Sequence, residues 1–109
     1  MNHGLSQRSI NTMHNIFGKY ESLRRVILYG SRAMGNYKNG SDIDITLEVD
    51  DGFTDFDLLH ICGELSESDL PYFVDCSILS QISNPDLKDH IARIGQVFYA
   101  RAMSPDFRP

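Results

Sequence analysis

The sequence predicts an α/β (α+β) domain: one small sheet with helices packed mainly on one of its faces. Three observations carry that prediction. Short β-branched and aromatic runs alternate with longer runs of helical periodicity. The 109 residues suffice for one real core but not for two, so residues 1–109 are expected to form a single domain. The strand-like runs place apolar side chains on one alternation set and aspartates on the other, so one sheet face reads as packed and the other as open.

The elements follow in chain order. A first helix is predicted over Ser6–Tyr20, where Ile10, Met13, Phe17 and Tyr20 recur at helical spacing, with Gly18 inside its last turn. Arg24 and Arg25 lead into a first strand, Val26–Tyr29. Gly30-Ser31 follows at once. Ser31 reads as the N-cap of a short helix around Arg32–Met34, which Gly35 ends. Asn39-Gly40 is a strong turn signal, and Ser41–Val49 is the second strand, closed by the acidic turn Asp50-Asp51-Gly52. Thr54 caps the next helix, with Asp55 and Asp57 in its first turn, where the helix dipole favours negative charge. Its buried stripe is Leu58, Ile61, Cys62 and Leu65. Ser66–Pro71 is a loop and Tyr72–Leu79 a third strand. Asn84-Pro85 opens a last helix with Leu87, Ile91, Ile94 and Phe98 on its apolar face. Residues 104–109, with two prolines, are expected to be a frayed tail.

Composition removes several function classes. Apolar content of 41% and charged content of 23% are ordinary for a globular chain. A net charge of −5 argues against direct, sequence-blind DNA or RNA binding, which needs a cationic surface. It leaves a nucleotide substrate open, because a metal ion can supply positive charge locally. Cys62 and Cys76 have no metal-type spacing and read as free thiols in a reducing compartment. No N-terminal signal-like stretch exists, and no apolar run approaches the roughly 18 residues a membrane span needs, so a cytoplasmic protein is expected.

The chemistry concentrates between Tyr29 and Leu47. In an extended strand, residues i and i+2 share a face, so Asp42 and Asp44 would lie side by side, opposite Ile43, Ile45 and Leu47. In the third strand Phe73, Asp75 and Ser77 share a face, opposite Val74, Cys76 and Ile78. Asp75 is thereby expected on the same open face as the other two aspartates. Three neighbouring carboxylates suit a hard cation such as Mg²⁺ or Mn²⁺, and without one at least one of them should have a raised pKa. Gly30 lets backbone approach a ligand closely, and Ser31 adds a hydroxyl at a helix start. A phosphate-holding turn beside a metal-holding pair describes phosphoryl or nucleotidyl transfer. Each piece alone has an ordinary structural reading: a plain loop, an exposed strand face, a hydrogen-bonded buried carboxylate. Their combination is specific. His3, His14, His60 and His90 show no ligand spacing and read as surface or helix-packing residues, and Phe98 and Tyr99 read as core.

Gly30-Ser31, ten residues, then Asp42-Ile43-Asp44, together with LYGSRAMG, SDIDITLEV, VDCSIL and the closing NPDLKDHIARIGQVFYA, resembles the minimal nucleotidyltransferases (MNT) of the DNA polymerase β-like superfamily. The resemblance runs from about Leu5 to Ala100. It implies a small mixed α/β nucleotidyltransferase core and a nucleoside triphosphate substrate, ATP. Asp42 and Asp44 would ligate two metal ions, and Asp75 would complete the site of the ion that activates an acceptor hydroxyl. Gly30 and Ser31 would hold the triphosphate, and Arg32 would contact phosphate or brace the loop. It further implies pairing with a helical HEPN protein, an RNase-like toxin, for which the MNT chain is antitoxin through transfer of AMP to a tyrosine. A non-catalytic module that neutralises or scaffolds its partner is the alternative. A small-molecule nucleotidyltransferase, modifying for example an aminoglycoside hydroxyl, is the third reading and is disfavoured by the short chain.

Overall fold

Residues 3–101 are described in a computed structural model. The first helix, α1, spans Gln7–Phe17 because Ser6 caps it, its hydroxyl oxygen accepting from the Ser9 amide. It stops three residues earlier than the apolar spacing suggests, at Gly18, and Tyr20 lies in the turn that follows. Strand β1 is longer than expected, Leu23–Tyr29, because Leu23 and Arg25 pair with β2 across an irregularity at Arg24: Arg25 sits opposite Glu48 and forms an ion pair with it. The short helix α2, Ser31–Met34, is capped by Gly30 rather than by Ser31, with no side-chain cap, and ends at Gly35. Strand β2 is Ile43–Val49, so Asp42 stands just before the strand instead of within it.

Helix α3, Asp55–Glu67, begins with the expected Thr54 cap, in a reciprocal arrangement: the Asp57 amide donates to Thr54, and the Thr54 amide donates to the Asp57 carboxylate. Strand β3 is Val74–Ile78, shorter at each end than the reading Tyr72–Leu79, and a single 3₁₀ turn, Leu79–Gln81, follows it. Helix α4 starts at Pro85 with Asn84 accepting from the Asp86 and Leu87 amides, as predicted.

The expected run of this last helix through Phe98 is wrong. α4 ends at Ile94, and Gln96–Ala100 forms a fourth strand, β4, antiparallel to β1. Gly95 makes the break. A side chain there would meet the Ile91 carbonyl oxygen at 2.4 Å and the Ile27 methyl at 2.8 Å, so chain and sheet approach where only glycine fits. Val97, Phe98 and Tyr99 are also better strand formers than helix formers. The helical period simply continued into a β-prone run. The tail predicted over 104–109 lies outside the described residues.

The sheet is mixed, in the order β3-β2-β1-β4: β1 is antiparallel to both its neighbours, and β2 is parallel to β3. On one face Val26, Leu28, Ile43, Ile45 and Leu47 are fully buried beneath Met13 and Phe17 of α1 and Ile61 and Leu65 of α3. Each such side chain contributes about 1.5–3 kcal/mol of transfer free energy, which is what sets the register. The second face carries Tyr29, Asp44 and Asp75 in one row across three strands, and Ile27, Thr46 and Ser77 in the next. It is not open over its whole width, because α4 lies across part of it, with Gly95 against Ile27 and His90 against Tyr29. Cys62 and Cys76 are free thiols. Among the described residues no helix is long and apolar enough to cross a membrane.

Candidate functional site

Register builds the site. Asp44 pairs with Tyr29 on one side and with Asp75 on the other, so the two carboxylates sit on adjacent parallel strands facing the same way. Alternation predicts this orientation for both residues. Asp42 is exposed and outside the strand, yet close enough to act electrostatically on Asp44. Burial raises the Asp44 carboxyl above the ordinary carboxylate range, the Asp75 and then the Asp42 charges raise it further, and His90 opposes them. One carboxyl of the three is raised as expected, but burial contributes more to the shift than the like charges do.

Gly30 closes one side of the site. Its φ of +76° and ψ of −156° are essentially restricted to glycine, and an added Cβ would lie 2.3 Å from Asp44 Oδ2. The turn is thus seated directly against a carboxylate, with Ser31 next in line. Arg32 is 2% exposed and spends its guanidinium within the protein. Nε and Nη2 donate to the Ser41 carbonyl at 3.1 and 2.9 Å, Nη1 donates to the His3 carbonyl at 2.9 Å, and the group stacks on Tyr37 and Tyr72. Of the two roles implied for Arg32, this geometry is that of the brace: it ties α2 to the residue before Asp42.

Two residues were missed as site members. Tyr29, 8% exposed, ends β1 beside Asp44; burial and then Asp75 raise its hydroxyl pKa, against a hydrogen bond with Ser77. Its place directly before Gly30-Ser31 was the available signal. His90 of α4 accepts a hydrogen bond from the Gly30 amide at 3.1 Å and meets the Tyr29 ring edge-on at 6.1 Å, so it is no mere helix-packing residue. Nothing in its sequence spacing marks it. His14 does pack as expected, against Phe98 and Tyr99, and hydrogen-bonds the Phe98 carbonyl.

Among the described residues no three His, Cys, Asp or Glu side chains form a ready-made metal cage. The donor chemistry nevertheless fits Mg²⁺, which is commonly bound by one or two carboxylates and completed by substrate phosphates and water. The Asp44–Asp75 pair, with Asp42 adding negative potential, is such a partial ligand set. A groove of about 520 Å³ reaches Asp75 along the edge of the sheet, walled by Cys62, Leu65, Leu70, Tyr72 and Phe73.

No curated protein sequence matches the chain. Among solved structures, the fold is similar to that of a chain in a toxin–antitoxin complex with AMP-PNP, at 23% identity, TM-score 0.66, and coverage of 89% of this chain and 75% of that one. A chain from the tri-AMPylated Shewanella oneidensis HEPN toxin in complex with MNT antitoxin gives 20% identity, TM-score 0.65, and 89% and 74% coverage. One from an MntA–HepT complex gives 21%, 0.64, and 88% and 74%. At these identities the likeness is one of fold. The sequence profile described as polymerase beta, nucleotidyltransferase matches residues 11–104, which takes in every element from within α1 to β4. The chain belongs to the polymerase β nucleotidyltransferase family.

Proposed function

We propose that this chain is a Mg²⁺-dependent adenylyltransferase that acts as the antitoxin of an MNT/HEPN pair, transferring AMP from ATP to a tyrosine hydroxyl of its helical partner. The observation that carries the reading is the row Tyr29, Asp44, Asp75, with Asp44's carboxylate seated against Gly30. A family member kept only as a binding surface has no need for a carboxylate that burial, and then a paired carboxylate, hold above its ordinary pKa. The neighbouring toxin–antitoxin complexes, one with AMP-PNP and one with an AMPylated toxin, support the nucleotide and the partner class.

The residues divide the work. Asp42 and Asp44 would hold the ions, and Asp75 would complete the ligand set on the acceptor side. Mg²⁺, when bound, neutralises charge on the triphosphate and on the departing pyrophosphate. Ser31 offers its hydroxyl to the triphosphate, and Gly30, lacking a side chain, lets phosphate and carboxylate share one small space. The acceptor hydroxyl gives up its proton to solvent as its oxygen bonds to the α-phosphorus, and the bridge to the β-phosphate breaks with pyrophosphate taking the electron pair. Asp75 is exposed on the edge strand β3, where an acceptor on an approaching chain can reach it.

The test combines the purified protein, its helical partner and α-labelled ATP with Mg²⁺, comparing wild type with Asp42→Asn/Asp44→Asn. Label on the partner that disappears in the double variant supports the reading. No label, with the partner still neutralised by the variant, overturns it in favour of a non-catalytic antitoxin.

A further inference from the structure

The Gly30 turn is pinned at three points. Its carbonyl accepts from the Met34 amide at 3.1 Å, its Cα rests against Asp44, and its own amide donates to His90 Nε2 at 3.1 Å. The first two contacts are local or come from the neighbouring strand. The third comes from α4, sixty residues on in sequence. It is the contact that ties the last helix to the turn.

Gly30 needs such holding. Its backbone sits in a sparsely populated region, where surroundings must over-determine the conformation. The amide that His90 takes is also one that cannot point at phosphate. Ser31 is the next residue in the turn able to donate, and where it stands depends on how Gly30 is held.

We propose that His90 is a positioning residue for nucleotide binding: Nε2, as an acceptor, holds the Gly30 amide and so keeps Ser31 in place for the triphosphate. The inference rests on the nucleotidyltransferase reading above and adds to it a residue outside the Gly-Ser and aspartate motifs. The ring has two separable parts. Its lone pair makes the bond to Gly30, and its edge packs on Tyr29 at an interplanar angle of 78°. The bond also dictates the tautomer, since an accepting Nε2 leaves the proton on Nδ1.

Two variants separate the parts. His90→Phe keeps a ring on Tyr29 and removes the acceptor, whereas His90→Gln removes the ring and keeps an acceptor oxygen at similar reach. Calorimetry with AMP-PNP and Mg²⁺ on the full chain should show His90→Phe binding about tenfold more weakly than wild type, the effect of one hydrogen bond of this kind. His90→Gln should stay within about threefold. Nitrogen NMR of the free protein should show the Nδ1–H tautomer at His90. Thermal unfolding of both variants checks that each is folded. Equal affinity for wild type and a folded His90→Phe, or equal loss in both variants, overturns the positioning role, as does an Nε2–H tautomer. A wild type that binds no AMP-PNP overturns the nucleotidyl-transfer reading itself, which is a different result from equal binding by all three proteins.

Discussion

The two faces of strand β2 are made from one alternating heptapeptide, IDITLEV, and they do opposite things. On one face Ile43, Ile45 and Leu47 are sealed from water between α1, α3 and the sheet. On the other, Asp44 is drawn partly out of water beside Asp75, in a position that disfavours its own charge. The apolar face supplies the stability that lets the acidic face exist. A seven-residue strand thus combines an element that specifies the fold with one that opposes it.

The sharpest way to break the comparison is to change one residue on each face. Asp44→Asn should reduce labelling of the partner about a thousandfold, since it weakens the hold on ions that contribute several kcal/mol to transfer. Its denaturant midpoint should be unchanged or raised, because a strained charge has gone. Ile45→Ala, on the buried face, should cost about 2–5 kcal/mol in urea unfolding, with transfer per folded molecule retained. If Asp44→Asn instead lowers stability as much as Ile45→Ala does, the acidic face is structural.

Arg32→Lys is a smaller change. An ammonium cannot reproduce the forked pair of bonds to Ser41, the bond to His3 and the stacking between Tyr37 and Tyr72. A loss of about 1–3 kcal/mol in unfolding free energy is expected, with retained AMP-PNP affinity in the folded fraction. Reduced affinity without reduced stability would return Arg32 to the phosphate-contact role.

The smallest effect is in pH dependence. The folded protein holds the Asp44 proton to higher pH than the unfolded chain does. The stability linked to that proton is fully present below the unfolded carboxylate pKa and is lost as pH rises through the raised folded value. In metal-free buffer, Asp44→Asn should therefore gain on wild type as pH rises through that window. A gap that shrinks instead would mean that Asp44 is stabilised as the anion.

Much of the site was legible because strand alternation is a rigid rule. Asp44 and Asp75 were expected on the face opposite Ile45 and Cys76, and the parallel register pairs them directly. The Thr54 and Asn84 caps were equally readable, being contacts within three residues. The last helix was misread past Gly95 because Leu87, Ile91, Ile94 and Phe98 keep a helical period by coincidence. The competing fact, an available edge on β1, is not local.

The sequence by itself determined the family and the sheet face on which Asp44 and Asp75 lie. Tertiary structure alone decided three things. It set Asp42 just outside the strand, committed Arg32 to the carbonyls of His3 and Ser41, and delivered His90 to Gly30. The physical reason is common to all three. Side-chain type and short-range periodicity are written into neighbouring residues. Where each residue falls relative to another element, and which donor meets which acceptor there, is settled only when packing brings the elements together and buried polar groups must find partners.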